Sequence, residues 1–153
     1  MTAPQWTRGV RIGVDVGKVR IGLAASDPDG LLATPVRTVA RATRRGDSND
    51  LVEIADVVRE YDAVEVVVGL PVTLAGQEGQ AAGEVRQFAE RLARIVAPIP
   101  VCLADERMST VVATRRLSER GVRGRRRRTV VDQAAAVEIL QGYLDAHRRK
   151  PDA

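Results

Sequence analysis

The sequence predicts an α/β protein with a mixed five-stranded sheet flanked by helices, in the element order βββαβαβαα. Two observations lead to this prediction. Three strand-like segments open the chain with no helix between them, as in an antiparallel meander. From residue 50 onward, helical segments alternate with short apolar runs, and such helical crossovers join parallel strands. The sheet should therefore combine three antiparallel strands with two parallel strands.

Turn residues separate the first three strands. Strands are predicted over residues 10–14 and 19–25, and the segment Val16-Gly17-Lys18 between them predicts a hairpin turn. A third strand is predicted over residues 31–39, after the turn Pro28-Asp29-Gly30. Each of these strands should pair with the one before it.

Helical and strand-like segments alternate in the middle of the chain. Helices are predicted over residues 50–61 and 79–96, where apolar side chains recur on one helical face. The short apolar runs at 64–69 and 100–104 predict strands that are buried on both sides. This alternation is the pattern of successive crossover units.

Two more helices are predicted at the end of the chain. They cover residues 109–120 and 130–148, and an arginine-rich loop joins them. No internal repeat and no long linker divides the sequence. We therefore expect a single domain over residues 1–153, with its core at about 10–146.

Composition is that of a globular protein with anionic partners. Of the 153 residues, 44% are hydrophobic and 29% are charged, and the net charge is +4. All but two of the 24 basic residues are arginine, which favours nucleic acid as the partner. No segment has the length and apolar character of a signal peptide or a membrane span, so we expect a cytoplasmic protein without a membrane partner.

The single cysteine and the single histidine exclude several kinds of site. Cys102 cannot form a disulfide within the chain, and its place in an apolar strand predicts a buried free thiol. His147 alone cannot build a multi-histidine metal site. With one Phe, one Trp and two Tyr, the chain offers few aromatic platforms for stacking bases. Carboxylates are therefore the candidates for catalysis.

Three acidic residues stand where they can converge. Asp15 ends the first strand, Glu106 follows the last strand, and Asp132 opens the final helix. If the first and last strands are neighbours at the centre of the sheet, these acids meet beyond the strand ends, where open α/β sheets bind ligands. Oxygen ligands of this kind suit Mg²⁺ or Mn²⁺. Each acid also has a simpler explanation: a turn residue, an ion pair with Arg107, or a helix cap formed by Thr129 and Asp132.

Four segments resemble, in order, the signature blocks of the YqgF/RuvX family: GVDVGKVRIGLAASD, VVVGLPVTLAGQEG, ADERMSTVVATRRL and VVDQAAAVEILQGYL. The resemblance covers about residues 10–144. Members of this family are described as pre-16S rRNA nucleases and Holliday junction resolvases, and they have a ribonuclease H-like fold. The resemblance implies a metal-dependent phosphodiester hydrolase with two Mg²⁺ or Mn²⁺ ions. In that reading Asp15 bridges both ions, and Glu106 and Asp132 each complete one side.

Two positions depart from the family pattern. The lysine stands at Lys18 rather than directly before Arg20, and Thr73 occupies a position where the family usually has asparagine. Neither departure removes an acid. The expected chemistry is unchanged, and the departures concern details of phosphate contact.

Basic residues near the acids are expected to contact phosphates. Eight of the fourteen residues from Arg115 to Arg128 are arginine, and this density ahead of Asp132 would attract nucleic acid to the acids. A solvated charged surface is the plain alternative. Gly17 should leave room for the nucleic-acid backbone. The residues expected to bind nucleic acid are Gly17, Arg20, Arg107, Arg123, Arg125, Arg126, Arg127 and Arg128.

Precursor 16S rRNA is the favoured substrate, and branched DNA is the alternative. Resolution of a four-way junction requires two coordinated cuts and hence a symmetric dimer. The helices show no extra apolar stripe for one, so we expect a monomer or a weak homodimer. A non-catalytic RNA-binding factor in ribosome assembly is a further alternative. The first segment also resembles the phosphate loop of sugar kinases and actin-like ATPases, which need two such domains to enclose ATP.

Overall fold

A computed structural model of the chain describes residues 6–44, 46–73, 75–106 and 125–148, with side chains for all of these except 125–131 and 148. The elements within these ranges follow the predicted order. They are β1 (Arg11–Val16), β2 (Arg20–Ser26), β3 (Ala33–Ala40), α1 (Asn49–Glu60), β4 (Glu65–Leu70), α2 (Gln80–Val96), β5 (Val101–Asp105) and α3 (Arg125–Arg148). The helix predicted over residues 109–120 lies outside the described residues. In the described part of the chain, no helix is both long enough and apolar enough to cross a membrane.

The five strands form one mixed sheet in the order β3-β2-β1-β4-β5. The first three strands pair antiparallel, whereas β4 pairs parallel with both β1 and β5. This confirms the predicted mixed sheet. The condition that the first and last strands are neighbours is not met, because β4 lies between them and β5 is the edge strand beyond β4. The crossover through α1 places β4 beside β1, and the crossover through α2 places β5 beside β4.

Each face of the sheet has its own apolar layer. One face packs against α1 and α2, and its cluster includes Ile12, Val14, Val66 and Val68. The opposite face packs against α3, and its apolar cluster adjoins the acids. The cluster consists of Ala24, Ala33, Val67, Ala135, Ala136, Ile139, Leu140 and Leu144. Because side chains alternate along a strand, Gly13 and Asp15 belong to the face that α3 covers. A Cβ on Gly13 would lie 2.7 Å from the Cβ of Leu140, which confirms that assignment.

The last helix begins earlier than predicted. Its first residue is Arg125 rather than residue 130, so Arg125, Arg126, Arg127 and Arg128 lie in α3 and not in a loop. Arginine is a good helix former, and the first glycine within the helix is Gly142. Asp132 therefore lies about two turns inside the helix instead of opening it. The capping alternative for Asp132 is also wrong, because Thr129 is itself a helical residue.

Two glutamines attach α3 to the edge strand β3. Gln133 Nε2 donates a hydrogen bond to Thr38 Oγ1 at 3.0 Å. Gln141 Oε1 accepts from the Ala33 N–H at 2.9 Å, and its Nε2 donates to the Leu31 carbonyl at 3.0 Å. These bonds fix the position of the helix along the sheet, and with it the position of Asp132.

Candidate active site

Asp15 lies near the end of β1, at the centre of the sheet, and exposes only 1% of its surface. Gly22 stands opposite it on β2. The parallel register pairs Val14 with Val68, so the next residue of β4, Gly69, is beside Asp15 on the other side. Glycine thus flanks the carboxylate in both neighbouring strands, and neither strand fills the adjacent space with a side chain.

Glu106 reaches this space from the edge of the sheet. It follows β5 directly and is 4% exposed. A Cβ on Gly69 would lie 3.1 Å from both Cγ and Oε1 of Glu106, so the glutamate side chain covers this glycine. Strand β4 separates β5 from β1, but Gly69 lets Glu106 extend across it. The unexpected strand order therefore does not keep Glu106 away from the Asp15 end of the sheet.

Asp132 approaches from the helix that covers this face, and it is 6% exposed. A Cβ on Gly22 would lie 2.2 Å from the Asp132 carbonyl oxygen. Any side chain at Gly22 would push the helix away, because backbone atoms cannot give way as the end of a flexible side chain can. The structure thus gathers the three predicted acids at one end of one face of the sheet, next to two glycines.

The carboxylate of Asp132 is engaged by Arg20, the first residue of β2. Arg20 Nε donates to Asp132 Oδ2 at 2.9 Å, and the Arg20 side chain is 22% exposed. Within the described ranges, no three His, Cys, Asp or Glu side chains are arranged so that they could hold a metal ion as they stand. The site therefore brings the acids together while one of them is turned to an arginine.

The hairpin turn after Asp15 requires a glycine at residue 17, because the space beside its Cα is filled by backbone. A Cβ on Gly17 would lie 2.6 Å from the Arg20 carbonyl oxygen, and the Gly17 N–H donates to that same oxygen at 2.9 Å. Arg41 Nη1 donates to the Gly17 carbonyl at 2.8 Å. The turn closes on itself and is held by Arg41, so Asp15 and Arg20 lie on either side of a fixed hairpin.

The structure describes only some of the other residues that were predicted to contact nucleic acid. Residues 125–128 form the start of α3, and the described features of this segment are those of its backbone. Arg107 and Arg123 lie outside the described residues. Thr73, which departs from the family pattern, closes its own loop: its Oγ1 accepts from the Gln77 N–H at 3.1 Å. The hydroxyl at this position has a structural use.

Sequence reasoning missed Gly22 and Gly69, the residues that make room for the acids. The signal was present, because an isolated glycine within a strand often marks a place where another backbone or a ligand comes close. Both glycines interrupt apolar runs, in RIGLAAS and in EVVVGL. Gln133, which attaches α3 to β3, was also missed, and no local pattern indicates it.

This topology, with buried acids at the end of the central strand, is that of ribonuclease H-like proteins. RuvC of Thermus thermophilus has a similar structure, with a TM-score of 0.55 and 14% identity over 91% of this chain and 96% of that chain. The same protein in complex with Holliday junction substrate gives a TM-score of 0.52 at 14% identity, over 92% and 96% of the two chains. The predicted ribonuclease H-like fold is confirmed.

The chain belongs to the RuvX family, described as Holliday junction resolvase, whose sequence model matches residues 9–146. A relative from Rhodococcus jostii, named "Putative pre-16S rRNA nuclease", is 60% identical over 147 residues, which is 95% of this chain and 83% of that protein. A relative of the same name from Mycolicibacterium smegmatis is 57% identical over 141 residues, covering 92% and 83%. The predicted family is confirmed, and the chain is an enzyme that hydrolyses phosphodiester bonds.

Proposed function

We propose that the chain cleaves precursor 16S rRNA at its 5′ end during ribosome biogenesis, with Asp15, Glu106 and Asp132 holding two Mg²⁺ or Mn²⁺ ions. The observation that carries this proposal is the gathering of three buried acids around two glycines at the end of the central strand. Buried carboxylates of like charge repel one another unless a cation lies between them. A metal site accounts for their common position.

The residues fit Mg²⁺ or Mn²⁺ by their chemistry. All three side chains offer carboxylate oxygens, which are the ligands that these hard ions prefer. Cys102, the only thiol, lies near the start of β5, at the end away from Glu106, and donates a hydrogen bond to Glu65 at 3.5 Å, so it takes no part. Glycine at residues 22 and 69 lets the Asp132 backbone and the Glu106 side chain come close to the two strands that flank Asp15.

When bound, a pair of divalent ions would supply activation of the attacking water and stabilisation of the leaving oxygen of a phosphodiester. The residues of the chain would hold and orient these ions. Asp15 would hold them from the central strand, whose backbone is paired on both sides with β2 and β4. Glu106 would act as a metal ligand from the side of Gly69, and Asp132 would act as one from the side of Gly22. Nothing in this scheme requires a histidine.

Binding of a polyanion is supported by the charge at the start of α3. Its first four residues, 125–128, are arginines, and its first turn contains no acid. The N-terminal end of a helix carries a partial positive charge, so arginines there are unfavourable unless an anion is near. Phosphate groups at this end would relieve the repulsion and would be close to the helix that carries Asp132.

The choice of RNA over branched DNA follows the names of the most similar relatives. Relatives of about 60% identity are named for pre-16S rRNA, whereas the family description names Holliday junctions. RuvC, whose complex contains junction substrate, is only 14% identical to this chain. A cytoplasmic location, and a monomer or weak homodimer, belong to the same proposal.

A side-by-side cleavage assay tests this proposal. Precursor 16S rRNA with its 5′ leader and a four-way DNA junction are incubated with equal amounts of enzyme, in Mg²⁺, in Mn²⁺ and in EDTA. We expect metal-dependent cleavage of the RNA leader and little cleavage of the junction. Paired symmetric cuts in the junction with an intact leader would favour the resolvase alternative. Cleavage that persists in EDTA would contradict the metal-dependent mechanism.

A further inference from the structure

The ion pair between Arg20 and Asp132 joins two residues with different predicted partners. Asp132 is proposed as a metal ligand, and Arg20 was predicted to contact phosphate, yet in this structure each is the other's partner at 2.9 Å. We infer that Arg20 changes partner: it neutralises Asp132 in the metal-free enzyme and moves to a nucleic-acid phosphate when Asp132 binds metal. This inference rests on the proposed metal-dependent function.

The geometry of the pair suits an exchange. Arg20 is the first residue of β2, beside the hairpin turn, and its side chain is 22% exposed, whereas that of Asp132 is 9% exposed. The guanidinium therefore borders solvent while it covers a buried carboxylate. Its Nε donates a hydrogen bond to Asp132 Oδ2. A guanidinium has five N–H donors in a fixed fork, so its outer edge is suited to a phosphate.

Charge explains why Arg20 would not stay paired with Asp132 once a metal ion binds to the acids. Counted by formal charge, Asp15, Glu106, Asp132 and Arg20 sum to −2, from three carboxylates and one guanidinium. A divalent ion among the acids would bring the sum to zero and would repel the nearby guanidinium. Arg20 would then gain more from an incoming phosphate than from a carboxylate whose charge the ion already neutralises. Loss of the ion reverses the preference.

Linkage turns this exchange into a coupling between two ligands. If metal binding frees Arg20 for phosphate, then phosphate binding to Arg20 must favour metal binding by the same factor. The enzyme would hold both ions firmly only when nucleic acid is present. The opposing interpretation is that Arg20 merely orients Asp132 for the metal, as residues around a ligand often do, in which case its removal weakens metal binding.

Metal titration of the free enzyme separates these two interpretations. Mn²⁺ binding is measured by calorimetry, without nucleic acid, in the wild type, in Arg20→Gln and in Arg37→Gln. Arg37 is the matched control, because it is a β3 arginine paired at 3.4 Å with the exposed Glu60 of α1, on the face of the sheet opposite to the acids. We expect Arg20→Gln to bind Mn²⁺ about tenfold more tightly, the order of one charge-assisted hydrogen bond, and Arg37→Gln to match wild type.

A second readout follows the arginine itself. The ¹⁵N–¹H signal of the Arg20 Nε–H, assigned by its absence in Arg20→Gln, should shift when Mg²⁺ is added to the wild type. The corresponding Arg37 signal should not shift. Circular dichroism of each variant verifies that it is folded, and Arg20→Lys provides a second substitution that keeps the charge but loses the fork.

The outcomes are distinct. The exchange is overturned if Arg20→Gln binds Mn²⁺ no more tightly than wild type. It is also overturned if the Arg20 signal does not shift at saturating Mg²⁺. Neither result contradicts the metal site itself. Absence of Mn²⁺ binding in wild type and in every variant contradicts the proposed metal-dependent function as well. Tighter binding in Arg20→Gln together with the shifted signal supports the exchange.

Discussion

The two ends of the sheet face beneath α3 use the same strands in opposite ways. At the end away from the acids, Glu65 of β4 accepts a hydrogen bond from Tyr143 at 2.7 Å and from Arg11 of β1 at 3.1 Å. Cys102 of β5 donates to the same carboxylate at 3.5 Å. At the other end β1 offers Asp15, β4 offers Gly69, and Glu106 follows β5. One end is a bonded network around one acid, and the other gathers acids around a glycine.

The difference suggests that the two ends of this face have different roles, with the Glu65 end contributing to stability and the acid end proposed for catalysis. The pair of Arg11 and Glu65 balances its own charge, and such a buried pair with further hydrogen bonds serves to hold strands and helix together. The acid end carries an excess of negative charge beside small residues, and this charge favours the binding of a cation. We therefore propose the acid end as the active site, because its three carboxylates outnumber the one guanidinium beside them.

The largest effect should come from Asp15→Asn. Removal of the shared ligand disables both metal roles, so turnover should fall by about 10³ or more. The matched control is Glu65→Gln, which makes the same carboxylate-to-amide change on the same sheet face at the other end. Glu65→Gln should unfold at a lower temperature and keep its turnover. Equal losses of activity in both variants would contradict the proposal that the two ends have different roles.

Gly69→Ala should give the next largest effect. A Cβ there would lie 2.6 Å from Ile139 Cδ1 and 3.1 Å from Glu106 Oε1, so it displaces the glutamate as well as an apolar contact. We expect turnover to fall about tenfold or more, with an overpacking cost of about 1–3 kcal/mol in the free energy of unfolding. Gly142→Ala, where nothing lies within 4 Å, should stabilise the protein by about 0.5–1 kcal/mol and leave turnover unchanged. Wild-type turnover in Gly69→Ala would mean that Glu106 does not need the space over β4.

Replacement of Arg125, Arg126, Arg127 and Arg128 by Ala tests whether the start of α3 binds phosphates. Each lost phosphate contact on a single strand should lower the salt dependence of log affinity by about 0.7, and we expect a total change of about two. The measurement is RNA binding by fluorescence anisotropy over a series of salt concentrations. Turnover at saturating substrate should be largely retained, because the acids are untouched. An unchanged slope would place the phosphate contacts elsewhere, with Arg20, Arg41, Arg44 and Arg45 as the next candidates.

The smallest effect concerns Cys102, at the structural end. Burial and the charge of Glu65 raise the pKa of the Cys102 thiol to about 11, so about one molecule in a thousand is thiolate at pH 8. Alkylation by iodoacetamide should be slow in the folded protein and should accelerate as pH rises toward that pKa. Cys102→Ser should keep its activity under reducing conditions. Rapid alkylation at pH 8, or loss of dimer and cleavage on reduction, would contradict a structural thiol.

Local patterns were enough to predict the presence and order of the elements that the structure describes. Strand alternation and turn residues located β1 and β2, and helical periodicity located α1 and α2. The strand order was not predictable in the same way, because periodicity says which residues are buried and not which strand lies beside which. The start of α3 was misplaced because a run of arginines is compatible with both a solvated loop and a helix.

The site was predicted in part. Position at strand ends and the resemblance to a family indicated Asp15, Glu106 and Asp132, whose catalytic roles stay predictions. The pair of Arg20 and Asp132 could not be foreseen, since its members are separated by 112 positions in the sequence and no local pattern joins them. The space over Gly22 and Gly69 likewise depends on how the helix and β5 pack against the sheet.

If the three acids hold one metal site, they act together on one chemical step. This is tested by the turnover of Asp15→Asn, Glu106→Gln and Asp132→Asn, singly and combined, on precursor RNA with saturating Mg²⁺. Residues that form one unit lose most of their function when any one is removed, so the triple variant should be about as slow as the slowest single variant. If the losses multiply instead, the three acids act independently and the proposed shared metal site is wrong.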